Sequence, residues 1–397
     1  MNQNIMFMLK LIAYVLGGEQ KPEADSEVNW EEIYKISAEH DLVSIISYGI
    51  IEGGYEVRPD IRALFIRNMY ESLARSENQS FEINKIYKAF DDVGVSYMPL
   101  KGLLLRKLYP HEDMRIMSDA DILVKTEDYD KFSKIMSELG YSFDGESNHE
   151  YNYIKPPIMH VELHKFMIPS YNEDLYAYYG DGWRLAKPSA DNPCRFELGL
   201  EDNFIYILAH FAKHYRNAGA GMRNICDLWL YIKKHASLDM EYIKNQLESL
   251  GLLNFYEHIN KLISCWFLGE TFDTETEEMT EFILASGVHG NLKNQVAAET
   301  IRGYAENQAE KAQKYRYIRM LFPHYEYMKS IYPSLNKLPY LMPLYWVLRL
   351  FKGILFKRKN LSYHIEKAKS IETATIEKYE AHMKKVGLDI NNGRKKQ

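Results

Sequence analysis

The stretch Arg115-Ile-Met-Ser-Asp-Ala-Asp-Ile-Leu-Val124 decides how the chain is read, because its acidic and apolar residues alternate. Alternation with period two marks a strand with one wet face and one face in a core. Asp119 and Asp121 then project to one side, roughly 6–7 Å apart, while Ala120 and Ile122 point to the other. Met159-His-Val-Glu-Leu-His164 repeats the pattern, turning Val161 and Leu163 inward and His160, Glu162 and His164 to the opposite face. If the two strands are neighbours, Asp119, Asp121 and Glu162 converge. Carboxylates this close raise one another's pKa unless a cation neutralises them. Hard oxygen ligands select Mg²⁺ or Mn²⁺ over zinc. Two such ions ~3.5–4 Å apart polarise an attacking hydroxyl and stabilise a leaving pyrophosphate in phosphoryl transfer. A bare Asp-x-Asp remains weak evidence in a chain with 55 acidic residues, where a solvated strand edge is the ordinary explanation.

The flanking segments supply context. Ser96–Leu100 reads as a short strand, and Gly102 directly precedes a helix whose free N–H groups could hold a triphosphate. Lys101 and Arg115 add cations nearby. A helical run from Glu127 to Leu139 is closed by Gly140, and Tyr151–Ile154 is a further strand candidate. Upstream, Ile5–Leu16 reads as a packed helix rather than a signal peptide. Trp30, Ile33, Leu64, Phe65, Met69, Ile83, Ile86 and Phe90 recur at helical spacing. Downstream, Pro188–Pro193 reads as a linker into a helical half. Its helices are expected at Glu201–Tyr215, Met222–His235, Met240–Leu250, Leu253–Leu268, Thr274–Leu284, Ala297–Met320 and Pro343–Phe356, and the tail Gly393–Gln397 as frayed. The expected division is 1–92 helical, 93–187 sheet-containing core, 188–358 helical, and 359–397 a final helix and polar tail.

Composition is that of a folded protein, with 46% apolar and 26% charged residues and 31 tyrosines that suit helix packing or a ligand surface. The net charge of −6 provides no global basic field, so nucleic acid is not a favoured partner. Cys194, Cys226 and Cys265 form neither a disulfide framework nor a CxxC pair and read as buried small side chains. No segment reaches the ~18 uninterrupted apolar residues of a membrane span, which predicts a cytoplasmic protein.

With these segments in place, the chain resembles the uncharacterised nucleotidyltransferases of the DNA polymerase β-like superfamily, the nucleotidyltransferase 5 type. Leu100-Lys-Gly102, Tyr109-Pro110, Arg115 to Val124, Gly140-Tyr141 and Val161-Glu-Leu-His164 carry the resemblance. His210-Phe-Ala-Lys-His214, Gly221-Met-Arg-Asn-Ile-Cys-Asp227, Leu321-Phe-Pro323, Tyr332-Pro333 and Leu341-Met-Pro-Leu-Tyr-Trp346 extend it over about residues 28–358. It implies an α+β fold in which a small mixed sheet is flanked by an N-terminal helical segment and a large helical C-terminal half. It implies an enzyme that moves a nucleoside monophosphate from an NTP such as ATP, with Mg²⁺ or Mn²⁺. Asp119 and Asp121 would hold both metals, and Glu162 would be the third acid that helps deprotonate an acceptor hydroxyl. Lys101, Gly102, Arg115, Ser118, His210, His214, Arg223 and Asp227 become the candidate nucleotide-binding residues. The superfamily's Gly-Ser phosphate loop is replaced here by Lys101-Gly102-Leu103, where Lys101 could act as the phosphate cation.

The acceptor is not legible: a small molecule, a modified peptide or an RNA end would serve. One rival is an RNA-modifying transferase of toxin–antitoxin type, another a binding protein that kept the fold without catalysis. His210 and His214 have a spacing that can bind metal, against the plainer reading of a polar helix face. Arg223 and Asp227, four apart, could simply pair. Between Tyr327 and Ile365 only basic charges occur, namely Lys329, Lys337, Arg349, Lys352, Lys357, Arg358 and Lys359, interleaved with Trp346, Phe351 and Phe356. That segment suits peripheral contact of 341–358 with an anionic membrane, a groove for a phosphorylated acceptor, or a buried apolar stripe with wet basic ends.

Overall fold

Apolar residues at helical spacing near the N terminus fold as α1 (Gln3–Gly17), which buries Phe7, Met8, Leu11 and Ile12 and is capped by the Asn2 side chain. This is seen in a computed structural model that describes residues 2–24, 28–168, 173–288, 290–302, 322, 325, 328–329, 332–356 and 373–388. Two short helices follow, α2 (Trp30–Glu39) and α3 (Val43–Gly53). The 35-residue α4 (Pro59–Val93) then starts on a proline, whose missing N–H costs nothing at a helix N-terminus. It ends at Gly94, whose φ of 70° closes the helix in a left-handed turn.

The sheet begins with β1 (Tyr97–Pro99) and continues, after the single turn α5 (Gly102–Leu105), with β2 (Ala120–Val124). Helix α6 (Tyr129–Glu138) leads to β3 (Ser142–Glu146), β4 (Glu150–Lys155) and β5 (Met159–His164). After α7 (Glu173–Tyr179) come β6 (Lys187–Ser189) and β7 (Asn192–Glu197). The strand order is β3-β4-β5-β2-β1-β7-β6. Strands β2 and β5 are parallel, as are β1 and β7, and the other pairs are antiparallel, so the sheet is mixed and the fold is α+β. Ala120, Ile122, Val124, Val161 and Leu163 project to one face and pack against Ile83, Ile86 and Phe90 of α4 and Phe132, Ile135 and Met136 of α6. Each fully buried large aliphatic side chain contributes roughly 1.5–3 kcal/mol, so this face carries the stability.

Two features differ from the sequence expectation. The segment Pro188–Pro193 is no linker but part of the β6–β7 hairpin that extends the sheet through β1. Pro188 lies on an edge strand, where a missing N–H breaks no inner ladder. Strand β3 was not expected because its residues are mostly exposed and lack the apolar alternation that marks a half-buried strand.

The remaining helices are α8 (Leu200–Ala218), α9 (Arg223–Lys234), α10 (Met240–Ser249), α11 (Leu253–Phe267), α12 (Thr274–Ser286), α13 (Leu292–Arg302), α14 (Met342–Phe356) and α15 (Thr373–Lys385). The chain divides into two compact units: one runs to Lys213 and resumes at Ala220 as far as residue 288, and the other takes His214–Gly219 and the described residues from Gly290 onward. The second unit joins the last turn of α8 to α13 and α15. In it Tyr379 donates to the Arg216 carbonyl at 2.9 Å, and Asn291 N–H donates to the Ala218 carbonyl at 2.9 Å. Within α14, Leu344, Val347 and Leu348 are exposed, so the apolar stripe expected to be buried is partly open. Residues 303–320 of the expected Ala297–Met320 helix, the Leu321 and Pro323 ends of one motif, Lys357, Arg358, Lys359 and the tail Gly393–Gln397 lie outside the described residues. Among the described residues no helix is long and apolar enough to cross a membrane.

Candidate active site

The polar face of the sheet is built from the same two strands as the core face. Parallel pairing of β2 with β5 sets Asp121 directly opposite Glu162 and Leu123 opposite His164. Asp119 stands two residues before Asp121, immediately ahead of the strand. The three acids expected to converge therefore lie on adjacent strands. Single ligand atoms from Asp119, His160 and Glu162, and likewise from Asp121, Glu162 and His164, come within 4.8 Å of one another.

The electrostatics match that crowding. Burial and the charges of Asp121 and Glu162 push the Asp119 carboxyl above its ordinary pKa. Burial would raise Asp121 as well, but the Lys101 ammonium and the His164 ring outweigh it and hold this carboxyl far below the usual range. His164 donates from Nε2 to Asp121 Oδ1 at 3.1 Å and lies 3.5 Å from Glu162 Oε2. Although burial disfavours its charge, these two contacts raise its pKa to about 9. An oxygen-rich cluster in which one carboxyl is driven toward protonation by its neighbours fits a divalent cation, which would relieve that repulsion.

Asp119 is delivered by a loop fixed at three successive residues. Arg115 donates from Nε and Nη2 to both oxygens of Asp227, at 2.7 and 2.8 Å. The Ile116 carbonyl accepts from Arg223 Nη1 at 2.9 Å, and the Met117 carbonyl accepts from Gln79 Nε2 at 3.1 Å. Tyr109 also donates to Asp227, at 2.8 Å. Contacts of this kind fix the backbone that presents Asp119. Arg115 and Asp227 were expected to touch nucleotide. Both are buried and paired with each other, and the pair fixes the backbone of the loop. Arg223 does not pair with Asp227 four residues on; it reaches Asp41 at 3.1 Å.

Lys101 takes a backbone φ of 30°, a left-handed value that costs a lysine about 1–3 kcal/mol. That turn brings its ammonium 3.3 Å from Asp121 Oδ2 and lets it donate to His210 Nε2 at 2.7 Å. Burial disfavours the ammonium, yet Asp121, Tyr206 and Asp119 more than compensate and raise its pKa. Gly102 is closely approached: a Cβ there would lie 2.9 Å from Met117 Sδ and 3.1 Å from Arg115 Nη1. The expected helix after it is the single turn α5, and Leu103, at the position of the superfamily's serine, packs in the core. Its side chain cannot address a phosphate. Ser118, beside Asp119, is exposed, whereas His214 is exposed and begins the second unit.

Sequence reasoning passed over Lys213. It lies three residues after His210 on α8, a spacing that shares a helix face. Burial and the Lys101 charge bring its pKa down to about 8, against the pull of Glu150, Asp121 and Glu162. His164, two residues beyond Glu162 on the polar face, was legible from alternation but not assigned a role.

Residues 26–268 match the family described as uncharacterised nucleotidyltransferase, well over half of the chain. The C-terminal motifs between 321 and 346 lie beyond that match. No curated protein matches. A solved structure, the solution structure of the antibiotic-resistance factor ANT(2'')-Ia, is similar at 12% identity and a TM-score of 0.33, over 46% of this chain and 98% of that one.

Proposed function

Because the chain belongs to the uncharacterised nucleotidyltransferase family, we propose that it transfers a nucleoside monophosphate from an NTP, with release of pyrophosphate, to a hydroxyl or phosphate of a small molecule or modified peptide. The observation that carries this reading is the register that sets Asp121 opposite Glu162, with Asp119 supplied by an anchored loop. Asp119, Asp121 and Glu162 would hold Mg²⁺ or Mn²⁺, which supplies charge for the triphosphate and a more acidic acceptor hydroxyl. Glu162 accepts the acceptor's proton. Lys101 and Lys213 hold the phosphates that Leu103 cannot reach, and the exposed hydroxyl of Ser118 offers a further donor. Arg115, Asp227, Arg223 and His210 keep Asp119 and Lys101 in place. His214 is given no part.

The test incubates the purified chain with Mg²⁺ and each α-labelled NTP, in parallel with a small-metabolite fraction, a peptide fraction and total RNA. Label moving into metabolites or peptides supports the proposal. Label moving only into RNA favours an RNA-modifying transferase. Absence of transfer, together with calorimetric NTP binding that is unchanged in the Asp119→Asn, Asp121→Asn double variant, would leave a binding protein that kept the fold.

A further inference from the structure

We propose a second metal site, of a different chemical class, at the neighbouring edge of the polar face: His149, Glu150 and His164 bind a borderline divalent cation such as Zn²⁺ or Co²⁺. Antiparallel pairing of β4 with β5 sets Glu150 directly opposite His164. His149 stands just before β4, at a bend, so its ring is free of the strand's alternation and lies over that of His164, with ring centroids 5.9 Å apart. A ring nitrogen of each histidine and an oxygen of Glu150 all fall within 4.8 Å of one another. Two imidazoles and one carboxylate form a donor set that hard cations such as Mg²⁺ do not favour and that zinc and cobalt do.

The second observation is His164 itself. Its ring is buried, and its Nε2 is committed to Asp121 and Glu162, yet its Nδ1 is buried with no hydrogen-bond partner among the described residues. A buried ring nitrogen left bare costs on the order of 1–3 kcal/mol unless something else takes it. Protein groups already occupy the opposite nitrogens, as expected of metal-ligating histidines: Asp121 accepts from His164 Nε2, and Ser147 Oγ lies 3.2 Å from His149 Nδ1. In both rings the remaining nitrogen is the one left for the cation. His149 Nε2 now contacts Glu150 Oε2 at 2.8 Å, an ion pair that a shared cation would replace. Three protein ligands leave a fourth position for water or for an oxygen of the acceptor. His164 would join the two sites, with Nε2 on the acids that suit Mg²⁺ and the bare Nδ1 left for the softer cluster.

The experiment titrates Co²⁺ into the full chain in excess Mg²⁺ and reads the visible absorption of nitrogen-bound, low-coordinate Co²⁺. The expected result is a stoichiometric Co²⁺ that Mg²⁺ does not displace. Either His149→Ala or Glu150→Gln should weaken it by more than roughly a hundredfold, beyond the cost of losing an outer-shell partner. Circular dichroism identifies a variant that has not folded, in which case the other variant decides. Asp119→Asn should leave the signal unchanged. Absence of Mg²⁺-resistant binding, retention of the signal in folded His149→Ala and Glu150→Gln, or its loss in Asp119→Asn would overturn the proposal. None of these outcomes bears on nucleotidyl transfer, which rests on Asp119, Asp121 and Glu162.

Discussion

The two faces of β2 and β5 are made by the same two short strands and obey opposite rules. On the inner face Ala120, Ile122, Val161 and Leu163 are buried in a hydrophobic cluster. On the outer face Asp121, Glu162, His164 and Lys101 pair with one another, Lys101 also reaching His210, and Asp119 is pushed above its ordinary pKa by burial and its acidic neighbours. The difference teaches that one face keeps the sheet by packing while the other concentrates opposing charges.

The sharpest way to break this contrast is Asp119→Asn. Nucleotidyl transfer should fall by roughly three to five orders of magnitude, the several kcal/mol expected of a metal-held charge. The melting temperature should stay level or rise, because one of three crowded carboxylates is gone. A clear drop in melting temperature would mean the outer face also carries stability. Next comes Arg115→Ala, a charge that serves the fold. It strands the buried Asp227 carboxylate and should cost about 3–5 kcal/mol in denaturant unfolding, with activity lost as the loop loosens. Ile122→Ala, on the inner face, should cost about 2–5 kcal/mol while activity per folded molecule persists at low temperature. The smallest effect is at Lys213, where Lys213→Ala should raise the KM for NTP about tenfold, or roughly 1.4 kcal/mol. Because its folded-state pKa is lowered to about 8, the cation is present below that pH and lost above it. KM should therefore be flat below about 8 and climb above it, and Lys213→Arg should abolish the climb. For stability the sign is opposite: from about 8 up to the ordinary lysine value the unfolded chain binds more protons, so raising the pH stabilises the fold in that window.

Much of this arrangement was legible because alternation in 119–124 and 159–164 reports both faces at once. Ile122 in the core and Glu162 on the polar face follow from period two, and the helical runs follow from their spacing. Pairing between distant segments was not legible. Arg115 and Asp227 are 112 positions apart, and nothing local in either reveals the other. The β6–β7 hairpin was hidden by prolines that ordinarily signal a break and are tolerated at an edge. His149 escaped notice because a bend, not strand alternation, presents its ring. The helix expected after Gly102 is a single turn, and the N–H groups of Leu103, Leu104 and Leu105 already donate to the carbonyls of Leu100 and Lys101.

The Tyr109 and Arg115 clasp on Asp227 also bears on how far the protein can be cut down. Asp227 belongs to α9, well downstream of the last strand, so a fragment ending at β7 would retain every residue of the sheet and forfeit the anchor of the loop that leads into β2. Attempts to excise a minimal sheet-only transferase should carry the chain through α9 at the least.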